Sequence, residues 1–334
     1  MIGTIETVTV DGEDGPLRLD RWFRRHYPAL AHGRLEKLLR TGQIRVDGKR
    51  AKAGDRLASG QAIRIPPLDA APPTAPIKPR RLLPADEAML QGAVLHRDEA
   101  VIVLNKPPEL AVQGGTKSER HLDGLLDGLR FGNAERPKLV HRLDKDTSGV
   151  LVIARSAAAA AVLTRAFRDK TTRKTYWALV VGLPKPPQGR ISLALAKGPG
   201  RNGSGRGRER VRADPDEGKP AITYYRVVDH VGERASWLAL LPVTGRTHQL
   251  RAHCAAIGTP IFGDGKYGGA AAHLDGPPGS RRLHLHARAL AIPHPQGGIL
   301  RVTAPLPPHM RQSWEFFGFP DDAEDPFAGL DLPQ

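Results

Sequence analysis

The chain has 334 residues, 40% of them hydrophobic, which suffices for one sizeable core with a smaller module beside it. A single cysteine, Cys254, rules out an internal disulfide framework and a multi-cysteine zinc site. With no apolar run of membrane-spanning length and no basic-then-apolar leader, a protein of the cytoplasm with no membrane partner is expected. Lys and Arg total 50 against 35 acidic residues, and the formal charge of +15 draws polyanions, of which nucleic acid is the commonest.

Residues 1–16 read as a short strand, "TIETVTV", and a tail. Over residues 17–66, Leu19, Trp22 and Phe23, then Leu35, Leu38 and Leu39, have helical spacing, and Thr41-Gly42 ends the second helix. "IRVDGKR" has the Asp-Gly of a tight hairpin, and "QAIRIP" closes the unit. Between Arg18 and Arg64 there are 13 basic and 4 acidic residues, and Arg21, Arg34, Lys37, Arg40, Arg45, Lys49 and Arg50 are candidate contacts to an RNA backbone. A merely solvated face is the alternative, made less attractive by how one-sided the charge is.

Residues 67–90 are proline-dense and read as an extended linker. From residue 91 to 320 strands and helices alternate without a strict repeat: "AVIVLNKPPEL", the helix "DGLLDGLR", "GVLVIAR", the helix "SAAAAAVLTRAFRDK", "TYWALVVGL", "AITYYRVVDHV", "SWLALLPVTGRTHQLRAHCAAIG" and "RLHLHARALAI". This is the pattern of a large mixed α+β domain rather than a doubly wound sheet. Within it Lys197 to Arg212, glycine-rich and basic, has little to bury and reads as a mobile loop that orders on RNA. Residues 321–334 form an acidic tail.

The chemistry concentrates in "KLVHRLDKDTSGVLVIAR", where a buried strand follows a charged cluster. Keeping Asp144 ionised near a core costs free energy unless cations hold its pKa down. Arg142 and Lys145 are neighbours, and Arg246 and Arg251 lie in "VTGRTHQLRAH". An ionised, positioned carboxylate is a nucleophile or a base; a structural salt bridge is the plainer alternative, and the residues alone do not decide between them. His141, Asp144 and Asp146 could serve a metal, but no HExxH or cysteine-rich partner accompanies them, and His284 and His286 read as packed groups. "QGGTKSER" is not a phosphate-binding loop.

Two families are resembled. "RLDRWF", "RLEKLLRTGQIRVDGKR" and "AGDRLASGQAIRI" are similar to the S-four-type (alpha-L) RNA-binding domain. "VHRLDKDTSGVLVIA", preceded by "VLNKPPELAVQGG" and followed by "KTYWALVVG" and "VTGRTHQLRAHCAAIGTPIFGDGKYGG", resembles the RluA family of pseudouridine synthases, over about Val94 to Leu306. The "QGG" and the leading module point to the RluC-like branch, acting on large-subunit ribosomal RNA.

That resemblance implies a mainly antiparallel catalytic sheet and isomerisation of uridine to pseudouridine on a flipped-out base, with no metal and no cofactor. It also implies roles: Asp144 as the catalytic carboxylate, as nucleophile or base; Tyr176 stacked on the target ring and in proton transfer; Arg251 paired with the carboxylate, with Arg246 as the fallback; Leu250 packing the uracil; and Arg142 entering the gap left by the nucleotide. His141 and Thr147 would shape the turn. A monomer is expected. A noncatalytic RNA-binding or ribosome-assembly factor, with Asp144 as a salt-bridge partner, is the main alternative, and a metal-dependent nuclease a third.

Overall fold

The structure, a computed structural model of the chain, describes residues 5–12, 17–68, 82–114, 120–198, 210–276 and 281–328. It divides into two compact units, Met1–Arg81 and Leu82–Gln334. Among the described residues no helix is long and apolar enough to cross a membrane.

The first unit holds strand β1 (Glu6–Thr9), helices α1 (Leu19–His26) and α2 (His32–Arg40), and strands β2 (Arg45–Val46), β3 (Lys49–Arg50) and β4 (Ala62–Ile65). The four strands form one sheet in the order β1-β4-β2-β3. The β2–β3 hairpin turns at Asp47 and Gly48, whose φ angles of 48° and 73° are those of the tight turn that Asp-Gly favours. Leu19, Trp22 and Phe23 of α1 and Leu35, Leu38 and Leu39 of α2 pack with Ile44, Leu57, Ile63 and Ile65 into a core of its own. Of the seven candidate RNA contacts, Arg21, Lys37, Arg40, Arg45, Lys49 and Arg50 are exposed and Arg34 is half-buried. Arg45 is tied back to its hairpin, donating to the carbonyls of Gly42 (3.2 Å) and Gly48 (3.1 Å).

The linker expected over residues 67–90 is shorter than that at its C-terminal end. Helix α3 (Pro84–Gly92) begins there, because proline at a first helical turn gives up a donor that has no partner anyway. Asp86 of α3 pairs with Arg120 at 2.5 Å. Residues 69–81, the rest of that stretch, lie outside the described residues.

After α3 the second unit continues through β5 (Val94–Arg97), β6 (Val101–Lys106), α4 (Leu122–Leu125) with a 3-10 turn, β7 (Lys138–Leu139), β8 (Ser148–Ala154), α5 (Ala157–Arg168), β9 (Arg173–Val181) and β10 (Gln188–Gly198). It ends with β11 (Arg210–Ala213), β12 (Lys219–Val231), β13 (Ala235–Pro242), α6 (Gln249–Ala256), β14 (Leu285–Pro293), β15 (Ile299–Thr303) and α7 (Pro308–Phe317). One sheet runs β11-β10-β12-β13-β9-β14-β8-β6-β5, with β15 on β14 and β7 on β8. Its described pairings are antiparallel except β8 against β14, so the fold is α+β with a mainly antiparallel sheet.

Both faces of this sheet are covered. Along β8, Leu151 and Ile153 pack under α3 and α4, while Val150 and Val152 pack with Leu163 of α5 on the other side, the period of two expected of a strand. Two expectations are corrected at its edges. Lys197–Gly198 and Arg210–Arg212, expected in a mobile loop, are paired strand (Lys197 with Val211), because alternating residues such as Leu195 and Val211 bury on one face; residues 199–209 lie outside the described residues. The acidic tail is not merely tail. Phe327 is buried against Ala239 and Leu241, and Asp325 pairs with Arg173 at 3.0 Å.

Candidate active site

Asp144 sits in the turn between β7 and β8, at the single parallel junction of the sheet, where Gly149 faces Ala287. Gly149 has φ of 109°, and a Cβ there would lie 2.2 Å from the Ala287 carbonyl oxygen, so only glycine lets the two strands meet. The turn is tied down on several sides. Thr147 N–H donates to the Asp144 carbonyl (3.2 Å), Ser148 Oγ meets His286 Nδ1 at 2.8 Å, and His141 Nε2 accepts from Val152 N–H at 2.8 Å. Burial pushes His141 down to about 3, which keeps its imidazole neutral and Nε2 free to accept.

A second anchor comes from β6. Lys106, at its end, has no exposed surface, and its Nζ donates to the carbonyls of Pro107 (2.8 Å), Leu110 (2.9 Å) and Lys145 (3.1 Å). Three acceptors match the three protons of an ammonium. Burial pushes Lys106 down to about 7, opposed by the charges of Asp146 and Asp144.

From the other end of the sheet, Gln249 at the start of α6 organises the approach loop. Its Oε1 accepts from Thr244 Oγ1 (2.7 Å) and Arg246 N–H (3.0 Å), while its Nε2 donates to the Ile222 carbonyl at 2.9 Å. Arg251, two residues on, is buried and grips buried Asp264 through two bonds, Nε to Oδ2 at 2.8 Å and Nη2 to Oδ1 at 2.7 Å. The Tyr267 ring lies 5.2 Å beneath its guanidinium. Arg246 donates from Nε to the Pro220 carbonyl at 3.3 Å.

These elements enclose a cavity of about 520 Å³ whose walls include Arg142, Asp144, Tyr176, Leu250 and Arg251, together with His141, Thr147 and Arg246. Tyr176 lies on β9, paired with Ala287 of β14 and Leu240 of β13. Burial, then the charge of Asp144, push its phenol above the ordinary tyrosine value, so it remains a protonated donor. Arg142 is exposed at the rim and Leu250 is buried. A partly open cleft of this size, with polar and apolar walls, is large enough for a nucleotide.

The sequence pattern of the RNA pseudouridylate synthase family matches residues 100–256, the span that holds Asp144, Tyr176 and Arg251. The chain is 35% identical over 299 residues to a ribosomal large subunit pseudouridine synthase C from Rickettsia prowazekii, covering 87% of this chain and 94% of that one. It belongs to the RNA pseudouridylate synthase family. A Vibrio cholerae protein of the same name is 32% identical over 327 residues, covering 92% of this chain and 96% of its own. A solved structure, human RNA pseudouridylate synthase domain containing 4, is 28% identical and covers 70% of this chain and 95% of its own, with a TM-score of 0.58. The protein is thus an isomerase acting on RNA, and a noncatalytic binder is not the favoured reading.

Two expectations for this synthase are corrected by the geometry. Arg251 was expected to pair with Asp144; its direct partner is Asp264, and it reaches Asp144 only through its field. Cations were expected to hold Asp144 down. Burial raises its pKa above the ordinary value, more than the charges of Arg251, Arg142 and Lys266 lower it. Sequence reading passed over Lys106 and Asp264 although both sit in quoted motifs, "VLNKPPEL" and "GTPIFGDGKYGG". A lysine flanked by apolar strand residues was the available signal for the first.

Proposed function

We propose that this synthase isomerises specific uridines of large-subunit ribosomal RNA in the cytoplasm, working as a monomer, with Asp144 as the catalytic carboxylate. The observation that carries this reading is the convergence of Asp144, Tyr176, Arg251, Leu250 and Arg142, from three separate stretches of chain, on one cavity. Cleaving the bond from ribose to N1 and remaking it at C5 requires the uracil to rotate, so the nucleotide must leave its stack. In the proposed arrangement Arg142, exposed at the rim, fills the gap with its planar guanidinium. The uracil then lies between Tyr176 and Leu250, and Asp144 faces the sugar with Arg251 held behind it by Asp264.

The large-subunit target is supported by the relatives, which are named for it. The leading unit, with its S-four-type sequence and exposed Arg21, Lys37, Arg40, Arg45, Lys49 and Arg50, and half-buried Arg34, supports a role in holding the RNA backbone. The test maps pseudouridines in ribosomal RNA from cells with and without the chain, then with Asp144→Asn. One or more sites should vanish without the protein and stay absent with the variant, a loss above about 10³-fold for a required acid-base or nucleophilic group. Pseudouridine restored at those sites by the Asn variant refutes the role given to Asp144.

A further inference from the structure

The pocket contains a cation that the reaction as proposed leaves unused. Lys174 precedes Tyr176 by two residues on β9, so both project to the same face of the sheet. Both line the cavity, as does Thr172 before them, whereas Arg173 and Thr175 do not. Arg173 points the other way, to Asp325 at 3.0 Å.

Lys174 is half-buried, and burial lowers its pKa from the ordinary lysine value with no carboxylate offsetting the cost. Its charge is felt by His141, whose imidazole lines the same wall. Among the described residues its ammonium has neither a hydrogen bond nor an ion pair. Desolvating a lysine beside no partner is costly. The cost is recovered if an anion arrives with the substrate. Thr172, next along the same face, has a buried hydroxyl that also has no partner among the described residues. Exposed Arg168 and Lys170 continue the line of cations from this wall to the cavity rim.

A uridine carries only one kind of full negative charge, on its flanking phosphates. We propose that Lys174 binds the backbone phosphate adjoining the flipped-out uridine, with the Thr172 hydroxyl as its neighbouring donor and Arg168 and Lys170 leading the strand in. Lys174 is thus a substrate-binding residue that positions the nucleotide, distinct from the groups that act on the glycosidic bond. This rests on the pocket being the site of isomerisation.

The test uses the full chain and an RNA stem-loop bearing the mapped uridine, with each phosphate beside it replaced in turn by an uncharged methylphosphonate. Lys174→Met should raise KM, lowering kcat/KM by about 10- to 100-fold, as loss of a charge-assisted bond does, with kcat much less changed. Lys174→Arg should restore most of it. The parent enzyme should suffer a similar loss at one of the two methylphosphonates, and Lys174→Met should show no further loss there. A parent enzyme indifferent to both methylphosphonates overturns the proposal without any variant. So does a loss from Lys174→Met that simply multiplies with the loss at each of the two methylphosphonates. Failure of the parent to form pseudouridine, or activity in Asp144→Asn, instead refutes the pocket's role.

Discussion

The Nζ of Lys106 donates at 3.1 Å to the carbonyl of Lys145, the residue after Asp144 and 39 positions along the chain. Strand β6 thereby clamps the turn that carries the carboxylate. Lys106→Met keeps the length of the side chain but leaves three carbonyls without their donor. An orphaned buried acceptor costs about 1 to 3 kcal/mol, partly relieved by relaxation, so urea unfolding should report a loss of about 2 to 4 kcal/mol. Because the displaced group is the carboxylate rather than the RNA-binding surface, kcat should fall more than KM rises. A variant with parental stability and kcat would show that the clamp is idle.

How far the sequence reveals this site depends on the range of each interaction. That Asp144, Tyr176 and Arg251 share one cavity was implied by the family resemblance of the three motifs that carry them, on the turn before β8, on β9 and on α6. Their mutual electrostatics were not. Arg142 stands two residues before Asp144 in sequence yet lies exposed at the rim, and burial in the fold dominates the carboxylate. The Arg251–Asp264 bond spans only 13 residues, but it depends on how the segment after α6 turns back. Helix α3 was hidden for another reason: proline density outweighed Pro84 as a helix-starting signal. The pairing of β11 was masked by the surrounding charge.

The raised pKa of Asp144 sets stability and activity against each other. Its ordinary value is 3.8, and burial lifts the folded value above that. Between the two the folded state binds more protons than the unfolded chain, so stability falls as pH rises through that window. Below the ordinary value both states are protonated and the cost disappears. Asp144→Asn, neutral at every pH, should therefore have a higher Tm than the parent at pH 7, with the difference shrinking to nothing below about pH 4. Activity should run the other way, since the ionised form is required. The acid limb of kcat/KM should lie above the range of an ordinary carboxylate, and Arg142→Met, which removes a cation that lowers the pKa, should move it higher. An acid limb near the ordinary value, or a Tm difference independent of pH, would contradict this.

Asp264 is the group that makes a buried Arg251 tolerable. It accepts both guanidinium bonds and also the N–H groups of Lys266 (3.1 Å) and Tyr267 (3.2 Å) through Oδ1. Removing one partner of a buried pair leaves the other charge uncompensated, at about 3 to 5 kcal/mol. Asp264→Ala should lose that much in denaturant unfolding, together with most activity, although the residue touches no part of the proposed substrate. Arg251→Lys should fare little better, because an ammonium cannot reproduce the two-pronged contact. A loss under about 1 kcal/mol for Asp264→Ala would mean that the guanidinium finds another acceptor.

The first unit has its own buried core, built on Trp22, Phe23 and Ile63, and the second has separate clusters around β6 and β8. Deleting residues 1–81 should therefore leave a cooperatively unfolding second unit with its circular dichroism intact. What should change is the electrolyte dependence of RNA binding. Each lysine or arginine on a phosphate releases counterions, which adds about 0.7 to 0.9 to the slope of log affinity against log salt. The triple substitution Arg21→Gln, Lys37→Gln and Arg40→Gln, at exposed positions of α1 and α2, should reduce that slope by about 2 to 3 if all three meet phosphate. It should leave kcat on saturating RNA near that of the parent, since none of the three lies in the catalytic unit. Filter binding across a salt series decides the matter: an unchanged slope removes these residues from the RNA interface.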